Sequence, residues 1–593
     1  MPATSHEHKF PVHTAAITLL LLMAILMFSS AWNDTVTTDE LPHIAAGYSY
    51  LVKADSRLNP EHPPLMKDLA AIPLLFMNLR APWDDKSWTE EINGQWDVGK
   101  LLIFGNDADA ITRAARGPMI VFTLAFGWIL FWWTRKEFGA GAALLALFFY
   151  VFSPTFLAHG RLVTTDVGAA AGFFIGTIGF LHFLRCPSRR NVFLAGLALA
   201  FAFLTKYSTF PLALIAVLLA VAWPLVQEER GQRLRGAIRY LKLTAGALCI
   251  ALLAIYPIYL HHTWNFPPER QKLYAELGIG LRGELKHAVY WASDKPVLRP
   301  WAAYLFGPIY VVQRADSDKN PRYFGGEIYY SGIASYFPFV YLVKEPLPLH
   351  LLTLLALLVA LTGVRWRGAT REWLAAHFTE CVFLLIISLY WSASIVSNLN
   401  IGVRHVLPTF PFIFVLVANS IAGLHRRLRQ PPVDDTLRAP GTVPAFHSAR
   451  AGIFRLLLGA LLAWQAFTVL RVHPSYLAYF NELAGGPNGG WRYVVDSNID
   501  WGQDLKRLAQ FVEQRNIQQI HLNFFGSAEP AYYLQEKYRE ISSCSEPVKG
   551  WVAVSAMWYA DSRRTPECDY RRWLPMERLV TKIGYSIFVF HID

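Results

Sequence analysis

The stretch AAITLLLLMAILMFSSAW, residues 15–32, carries no charged side chain. A helix of about 20 such residues crosses a bilayer, where backbone polar groups must be bonded within the segment. Further apolar runs begin near residues 117, 140, 168, 192, 208, 243, 348, 377, 407 and 451, so about eleven spans near bilayer length are expected. The division between the runs near 192 and 208 is the briefest, LTKYSTFP alone. Composition agrees: 53% of the 593 residues are hydrophobic and 17% charged, where soluble domains carry about 25% charged residues. The chain reads as a polytopic α-helical membrane protein. Its first run reads as an uncleaved span, because no small-residue cleavage site follows it.

A formal charge of +11 would suit nucleic acid, but its distribution excludes that reading. The cations crowd into alternate short loops: TRKEFG, LRCPSRRN, QEERGQRLRGAIRYLK, VRWRGATREW and HRRLRQ. The intervening loops LAHGRLVTTD, LTKYST and SNLNIGVRHVLP carry one Lys or Arg each. Lys and Arg in short loops mark the cytoplasmic side. The N-terminus is therefore expected in the cytoplasm of a cell with the chain in its plasma (inner) membrane. Asp39, Asp166 and Arg404 fall on the opposite face, and an odd number of spans puts the C-terminus there too.

Two long external loops are expected, over 32–116 and 261–347. The first contains HIAAGYSYLVK and LMKDLAAIPLLFMNL, amphipathic stretches suited to the interface. The second is rich in Tyr, Trp and Pro and has the length of a substrate lid. Residues 1–471 read as the membrane domain and 472–593 as a small extracytoplasmic α/β domain. In the latter, WRYVVD, QIHLNFFG, GWVAVSAMWY and SIFVFHI read as strands and GQDLKRLAQFVEQRN as a helix. RQPPVDDTLRAPGTVPAFHSAR reads as a cytoplasmic linker. Cys544 and Cys568 can pair if this tail is outside the cytoplasm. Cys186, Cys249 and Cys381 read as packing residues, and no metal-type Cys spacing occurs.

Asp39 and Glu40 sit where the first span emerges. An ionisable group within the membrane costs about 2.5–3.5 kcal/mol on insertion scales, so acids and cations collected at one membrane face suggest a site. The same face carries Asp166, Arg161, Arg404 and His405. Lys344 and Lys67 read as snorkelling or headgroup-facing side chains, with Lys344 and Lys206 kept as phosphate contacts. GGPNGG lacks a P-loop Lys and reads as a turn. Asp496 and Asp500 read as caps of a helix starting near Gly502.

DELPH, EHPPLMK, RLVTTD and NIGVRHVLP, in this order, resemble the membrane-embedded C-type (GT-C) glycosyltransferases. The nearest branches are the protein O-mannosyltransferases and the aminoarabinose transferases that modify lipid A. The sequence YFNELAGGPNGGWRYVVDSNIDWGQDLKRL is similar to bacterial members. The chain lacks the MIR-type domain of eukaryotic mannosyltransferases, and it has His62 where the aminoarabinose branch has Lys. The resemblance implies a GT-C fold and a polyprenyl-phosphate-linked sugar as donor. It implies an acceptor that is a protein, lipid A or an envelope glycan. Asp39 would be the general base, with Glu40 orienting it or the acceptor. Asp166 would hold the acceptor or help position a divalent metal, whose involvement stays open. His62, Arg161, Arg404, His405, Lys344 and Lys206 are the candidate contacts to the departing phosphate. The alternative is a transporter or flippase of lipid-linked sugars, which would place its polar groups near the midplane on broken helices. A metalloprotease is disfavoured, because Pro42 interrupts DELPH and no H-E-x-x-H occurs.

Overall fold

The computed structural model describes residues 9–278, 284–317, 321–367, 370–429 and 443–593. Each expected apolar run becomes a helix: Lys9–Ala31, Ala108–Phe138, Ala140–Val151, Asp166–Arg185, Arg189–Thr205, Pro211–Gln227, Arg233–His262, Leu347–Arg367, Phe378–Val396, Phe410–Arg429 and Val443–Leu470. Among the described residues, eight helices are long and apolar enough to cross a membrane. The pair Tyr336–Lys344 and Leu347–Thr362 is as long and apolar when taken together but is bent by 114°, the geometry of a broken span or a re-entrant loop. Two helices are shorter than expected. Arg189–Thr205 has 17 residues, the lower limit for a span. Ala140–Val151 has 12, about 18 Å of helix, because the chain restarts at Ser153. There the Ser153 hydroxyl accepts from the Phe156 N–H and Pro154 opens a new helix, Pro154–His159.

Helix boundaries also move charges. The run read from 117 begins at Ala108, because the Asp107 carboxylate accepts the Ala110 N–H and caps it there. That places Arg116 inside a membrane helix. The expected cytoplasmic linker lies largely outside the described residues, at 430–442; from Val443 the chain is helix.

Asp166–Arg185 is buried on nearly all sides. It packs against Arg189–Thr205 along Gly168, Gly172 and Gly176. A Cβ at Gly172 would lie 2.7 Å from Thr205 Oγ1, so only glycine allows this approach. Small residues serve helix contact in membranes because lipid offers no hydrophobic drive between helices. The Arg-rich loops gather at one end of the bundle, where Arg185 bridges Glu137 at 2.6 Å and the Thr379 hydroxyl at 2.5 Å.

At the other end lie the two long loops and the C-terminal residues. The first loop folds as helices Glu40–Lys53, buried on every face from Glu40 to Tyr50, and Leu65–Ala71, followed by a 3-10 turn whose Phe76 is 86% exposed. The second holds helices Pro268–Gly278, Glu284–Ala292 and Arg299–Ser317 and a hairpin of β1 (Arg322–Phe324) and β2 (Glu327–Tyr329). The C-terminal α/β unit has five strands, β3 (Ile520–Asn523), β4 (Tyr538–Glu540), β5 (Gly550–Ser555), β6 (Leu579–Ile583) and β7 (Ile587–Ile592). Their order is β4-β3-β5-β7-β6, with β3 parallel to β4 and β5 and the other pairs antiparallel. The helix Leu505–Gln514 buries Leu505, Leu508 and Val512, one face at helical spacing. Cys544 and Cys568 form a disulfide.

Two expectations fail here. WRYVVD is not a strand but short 3-10 turns: Trp491 packs on Phe588 of β7, while Val494 and Val495 are buried in the core shared with the membrane helices, so its side chains bridge the two rather than extend the sheet. Asp496 and Asp500 do not cap the helix, which begins after Asp504. One apolar core runs from Phe174 and Val406 in the membrane helices through Tyr476 and Trp501 to Val554 and Phe588 in the sheet. A second joins Leu41 and Ile44 of the first loop to Leu505, Leu508 and Ile520.

Candidate active site

The helix Glu40–Lys53 aims the acidic pair. Asp39 occupies the position before the first turn, yet its carboxylate makes no capping bond. Glu40 instead folds back, accepting the Thr37 N–H at 2.9 Å and the Thr37 hydroxyl at 3.0 Å. Arg116 clamps Glu40 with two bonds, Nε to Oε1 at 2.8 Å and Nη2 to Oε2 at 2.6 Å, and Val163 N–H adds a third donor to Oε1. Burial pushes the Glu40 carboxyl up, but Arg116 and the two N–H groups outweigh it and hold the group below the ordinary range. Fully buried and fully bonded, Glu40 fixes the loop and has no face for substrate.

Asp39 turns the other way. Its Oδ2 accepts from Arg404 Nη1 at 2.7 Å, and its Oδ1 has no hydrogen bond among the described residues. Arg404 Nη1 also lies 3.3 Å from Asp166 Oδ2, and Lys206 Nζ lies 2.6 Å from Asp166 Oδ1. The chain of charges is thus Asp39, Arg404, Asp166, Lys206. Asp39 is 27% exposed and Lys206 15%, while Asp166 is 1% exposed. Asp166 opens the helix Asp166–Arg185 and Lys206 closes the helix Arg189–Thr205, so the glycine-packed pair sets their distance. A carboxylate in the first turn also complements the helix dipole.

His62 and His405 border this group. His62 Nδ1 and His405 Nε2 are buried and have no hydrogen-bond partner among the described residues. Burial pulls His62 well below its usual range, helped by the nearby His43, Lys206 and Lys67, and burial takes His43 to about 4 despite Asp39. His62 therefore enters as a neutral imidazole, not as the expected cation. Next to it lies a cavity of ≈30 Å³ lined by Tyr50, Tyr207, Tyr259, His262 and Gln271, room for about one water.

The structure separates three expected site residues from this group. Arg161 is buried against Asp34, which also pairs with Arg507 at 2.6 Å. Lys344 does not snorkel; its Nζ donates to the carbonyls of Leu477 at 2.7 Å and Asn498 at 2.6 Å. Glu40 is held by Arg116, as described. Lys67 does not face headgroups either: its Nζ is buried among Tyr50 Oη, Asn59 O, Asn59 Oδ1 and His62 O, at 2.8–3.2 Å. Burial brings it down to about 7, against the pull of Glu61 and Asp68. That lysine ties the two ends of the NPEHPPLMK loop together.

Arg116, Asp34 and Trp501 were not found by sequence reasoning. Arg116 had a signal, an arginine at the ninth position of an apolar helix, hidden by placing the start of that helix at 117 instead of Ala108. Asp34 and Trp501 had none, since their charged partners are far away in sequence, Arg161 and Arg507 for Asp34 and Arg404 for Trp501. Among the described residues no three His, Cys, Asp or Glu are placed to hold a metal ion.

The molecule is thus a polytopic helical membrane protein with a C-terminal α/β unit, bearing a carboxylate–guanidinium–carboxylate–ammonium cluster at one end of its helices. Residues 100–259 match the family model of dolichyl-phosphate-mannose-protein mannosyltransferases. The resemblance to protein mannosyltransferases is borne out over that stretch, which holds RLVTTD of the four motifs and Arg116, Arg161, Asp166 and Lys206. No curated protein matches the chain. Solved structures similar to it include ArnT from Cupriavidus metallidurans bound to undecaprenyl phosphate, at 14% identity, 97% of each chain and a TM-score of 0.46. The Archaeoglobus fulgidus oligosaccharyltransferase, in complex with Zn and sulfate, matches at 13% identity over 92% of this chain and 69% of that one, TM-score 0.45. The arabinofuranosyltransferase AftD from Mycobacteria matches at 14% identity over 93% and 35%, TM-score 0.39.

Proposed function

We propose that this chain is an inverting membrane glycosyltransferase that moves a sugar from a polyprenyl-phosphate donor to an extracytoplasmic acceptor, with Asp39 as general base. The observation that carries this is the division of labour within the acidic pair. Glu40 is consumed by Arg116, while Asp39 accepts from Arg404 through Oδ2 alone and keeps an Oδ1 with no hydrogen bond among the described residues.

The chemistry asks for little more. A polyprenyl phosphate leaves readily once its negative charge is met, and Arg404 and Lys206 stand where they can meet it. The acceptor hydroxyl or amine must lose a proton as it attacks, and Asp39 Oδ1 can take it. Attack from the face opposite the phosphate inverts the anomeric centre through an oxocarbenium-like state. Asp166, buried between Arg404 and Lys206, holds the cations in place. The Arg404 guanidinium lies between Asp39 and Asp166 and supplies there the positive charge that a divalent ion would otherwise bring.

The test uses the purified full chain in lipid nanodiscs, radiolabelled polyprenyl-phosphate hexose or pentose, and envelope material from a strain lacking the chain. Label should pass from the lipid to the envelope fraction. Asp39→Asn should slow this about a thousandfold, the scale of a lost general base, at an unchanged melting temperature. Transfer by Asp39→Asn at the parent rate would overturn the base assignment.

A further inference from the structure

Two sequence motifs far apart in the chain, NIGVRHVLP and DSNIDWGQD, lie one on the other, and Arg404 is enclosed between them. The Arg404 guanidinium carbon sits 4.2 Å above the Trp501 ring. Arg404 Nε donates to Ser497 Oγ at 3.2 Å, and the Ser497 hydroxyl donates to Ile401 O at 2.8 Å. Asn498 Oδ1 accepts the Val403 N–H at 3.0 Å, while Asn498 O accepts from Lys344. A Cβ at Gly402 would lie 2.3 Å from Ser497 Oγ. Its φ is 173°, plain extended backbone, so glycine is needed for space alone. Trp501, 2% exposed, is itself fixed, because Thr38 N–H donates to its carbonyl at 3.0 Å.

We propose that Ser497, Asn498 and Trp501 are positioning residues for Arg404, so that the segment leading into the α/β unit completes the donor-phosphate site of the membrane helices. This rests on reading Arg404 as a ligand of the departing phosphate. Asp39 and Asp166 both draw on Nη1, and Ser497 takes Nε. Nη2 has no hydrogen bond among the described residues and remains for the phosphate. An arginine side chain has four rotatable bonds, and two carboxylates pulling on one nitrogen do not fix the plane of the fork. The indole face does, since a guanidinium stacks flat on it. The segment 497–501 thus turns a cation that could be neutralised by its acids into one with a free donor aimed by a rigid support. Lys344 gains a role in the same way: it anchors the support and is not itself a phosphate ligand.

The experiment titrates undecaprenyl phosphate into the purified full chain in nanodiscs and measures label transfer in parallel. Arg404→Gln should weaken binding about tenfold or more, as expected for loss of a charge-assisted bond. Trp501→Leu should weaken it about tenfold, the upper scale of a desolvated cation–π contact. Trp501→Phe, which keeps an aromatic face, should recover to within about threefold of the parent. A purely structural role would lower the melting temperature of the Leu and Phe variants without separating their affinities, and that result would overturn the proposal. If Arg404→Gln weakens binding and Trp501→Leu does not, the positioning role alone falls. If Arg404→Gln binds as the parent does, the phosphate role assigned to Arg404 falls first. Should Trp501→Leu not be recovered folded, Ser497→Ala decides: about threefold weaker binding at an unchanged melting temperature supports the proposal, and unchanged binding overturns it.

Discussion

At the scale of single residues, the adjacent acids Asp39 and Glu40 show how neighbours in sequence become opposites in chemistry. Successive residues at a helix start point about 100° apart, so one carboxylate can enter the protein while the other faces the site. Glu40 is buried with three kinds of donor around it; Asp39 is left partly exposed with one. A third acid, Asp496, joins them from the C-terminal side. Its φ of 58° is left-handed, a conformation uncommon for residues other than glycine and tolerated best by Asn and Asp. Burial raises its carboxyl to about 6, partly opposed by the Ser497 N–H and Arg404 and reinforced by Asp39. Asp496 is therefore neutral below about pH 6 and charged above it. Its charge then competes with the donor phosphate for Arg404. The sugar phosphodiester keeps one negative charge throughout, so donor affinity should fall as pH rises through about 6. Asp496→Asn should abolish that step, read as KM for the lipid-linked sugar between pH 5 and 7.5. A step of the same size in the variant would remove Asp496 from the explanation. The same ionisation should lower stability as pH rises from 3.8 to about 6, because the folded state holds this proton more tightly than the unfolded chain.

At the scale of elements, the site depends on how helix ends are pinned. Arg116, from the helix Ala108–Phe138, donates to Glu40 and also to the carbonyls of Ala31, Asp34 and Thr35. It therefore ties the end of the first membrane helix to the start of the next. Arg116→Met would leave a buried carboxylate without its partner, which costs about 3–5 kcal/mol. The melting temperature of the detergent-solubilised chain should fall sharply, and Arg116→Met with Glu40→Leu should recover part of the loss. A single Arg116→Met variant that melts with the parent would show the clamp to be unimportant. The helices themselves were readable in the sequence, because apolar runs of bilayer length have few other solutions. So were Asp39, Asp166, Arg404 and Lys206, acids and cations at the ends of apolar runs. The roles of Arg161, Lys344 and Lys67 were not, because a cation at a helix end looks the same whether it meets water, phosphate or a carbonyl. Deciding among these needs the partner: Asp34, Asn498 and His62 respectively, of which only His62 is near in sequence. WRYVVD failed for a similar reason. Its apolar residues suit a strand, but Val494 and Val495 are buried in the core shared with the membrane helices, which propensity does not register.

At the scale of the molecule, the charge distribution and the site define two opposite ends, and the orientation of those ends in the membrane can be tested directly. The Arg-rich loops meet at one end, with Arg185 bound to Glu137 and Thr379, and Arg371 donating to Val226 O at 2.9 Å. The cluster of Asp39, Asp166, Lys206 and Arg404 lies at the other, under the α/β unit that carries the Cys544–Cys568 disulfide. A disulfide persists in an oxidising compartment and lysine-arginine loops stay in the cytoplasm; the orientation proposed from both puts the α/β unit outside, and labelling tests it. Cys186, Cys249 and Cys381 are free thiols, and replacing them by serine leaves a background with only the bonded pair. Single cysteines are then placed at Gly231, in the Arg-rich loop between Pro211–Gln227 and Arg233–His262, and at Lys549, just before β5. In intact spheroplasts a membrane-impermeant maleimide should label Lys549→Cys and spare Gly231→Cys, and permeabilised cells should label both. Labelling of Gly231→Cys alone in sealed cells would reverse the orientation. It would also place Asp39 and Arg404 in the cytoplasm, out of reach of an extracytoplasmic acceptor, so the acceptor side of the proposed reaction would fall with it.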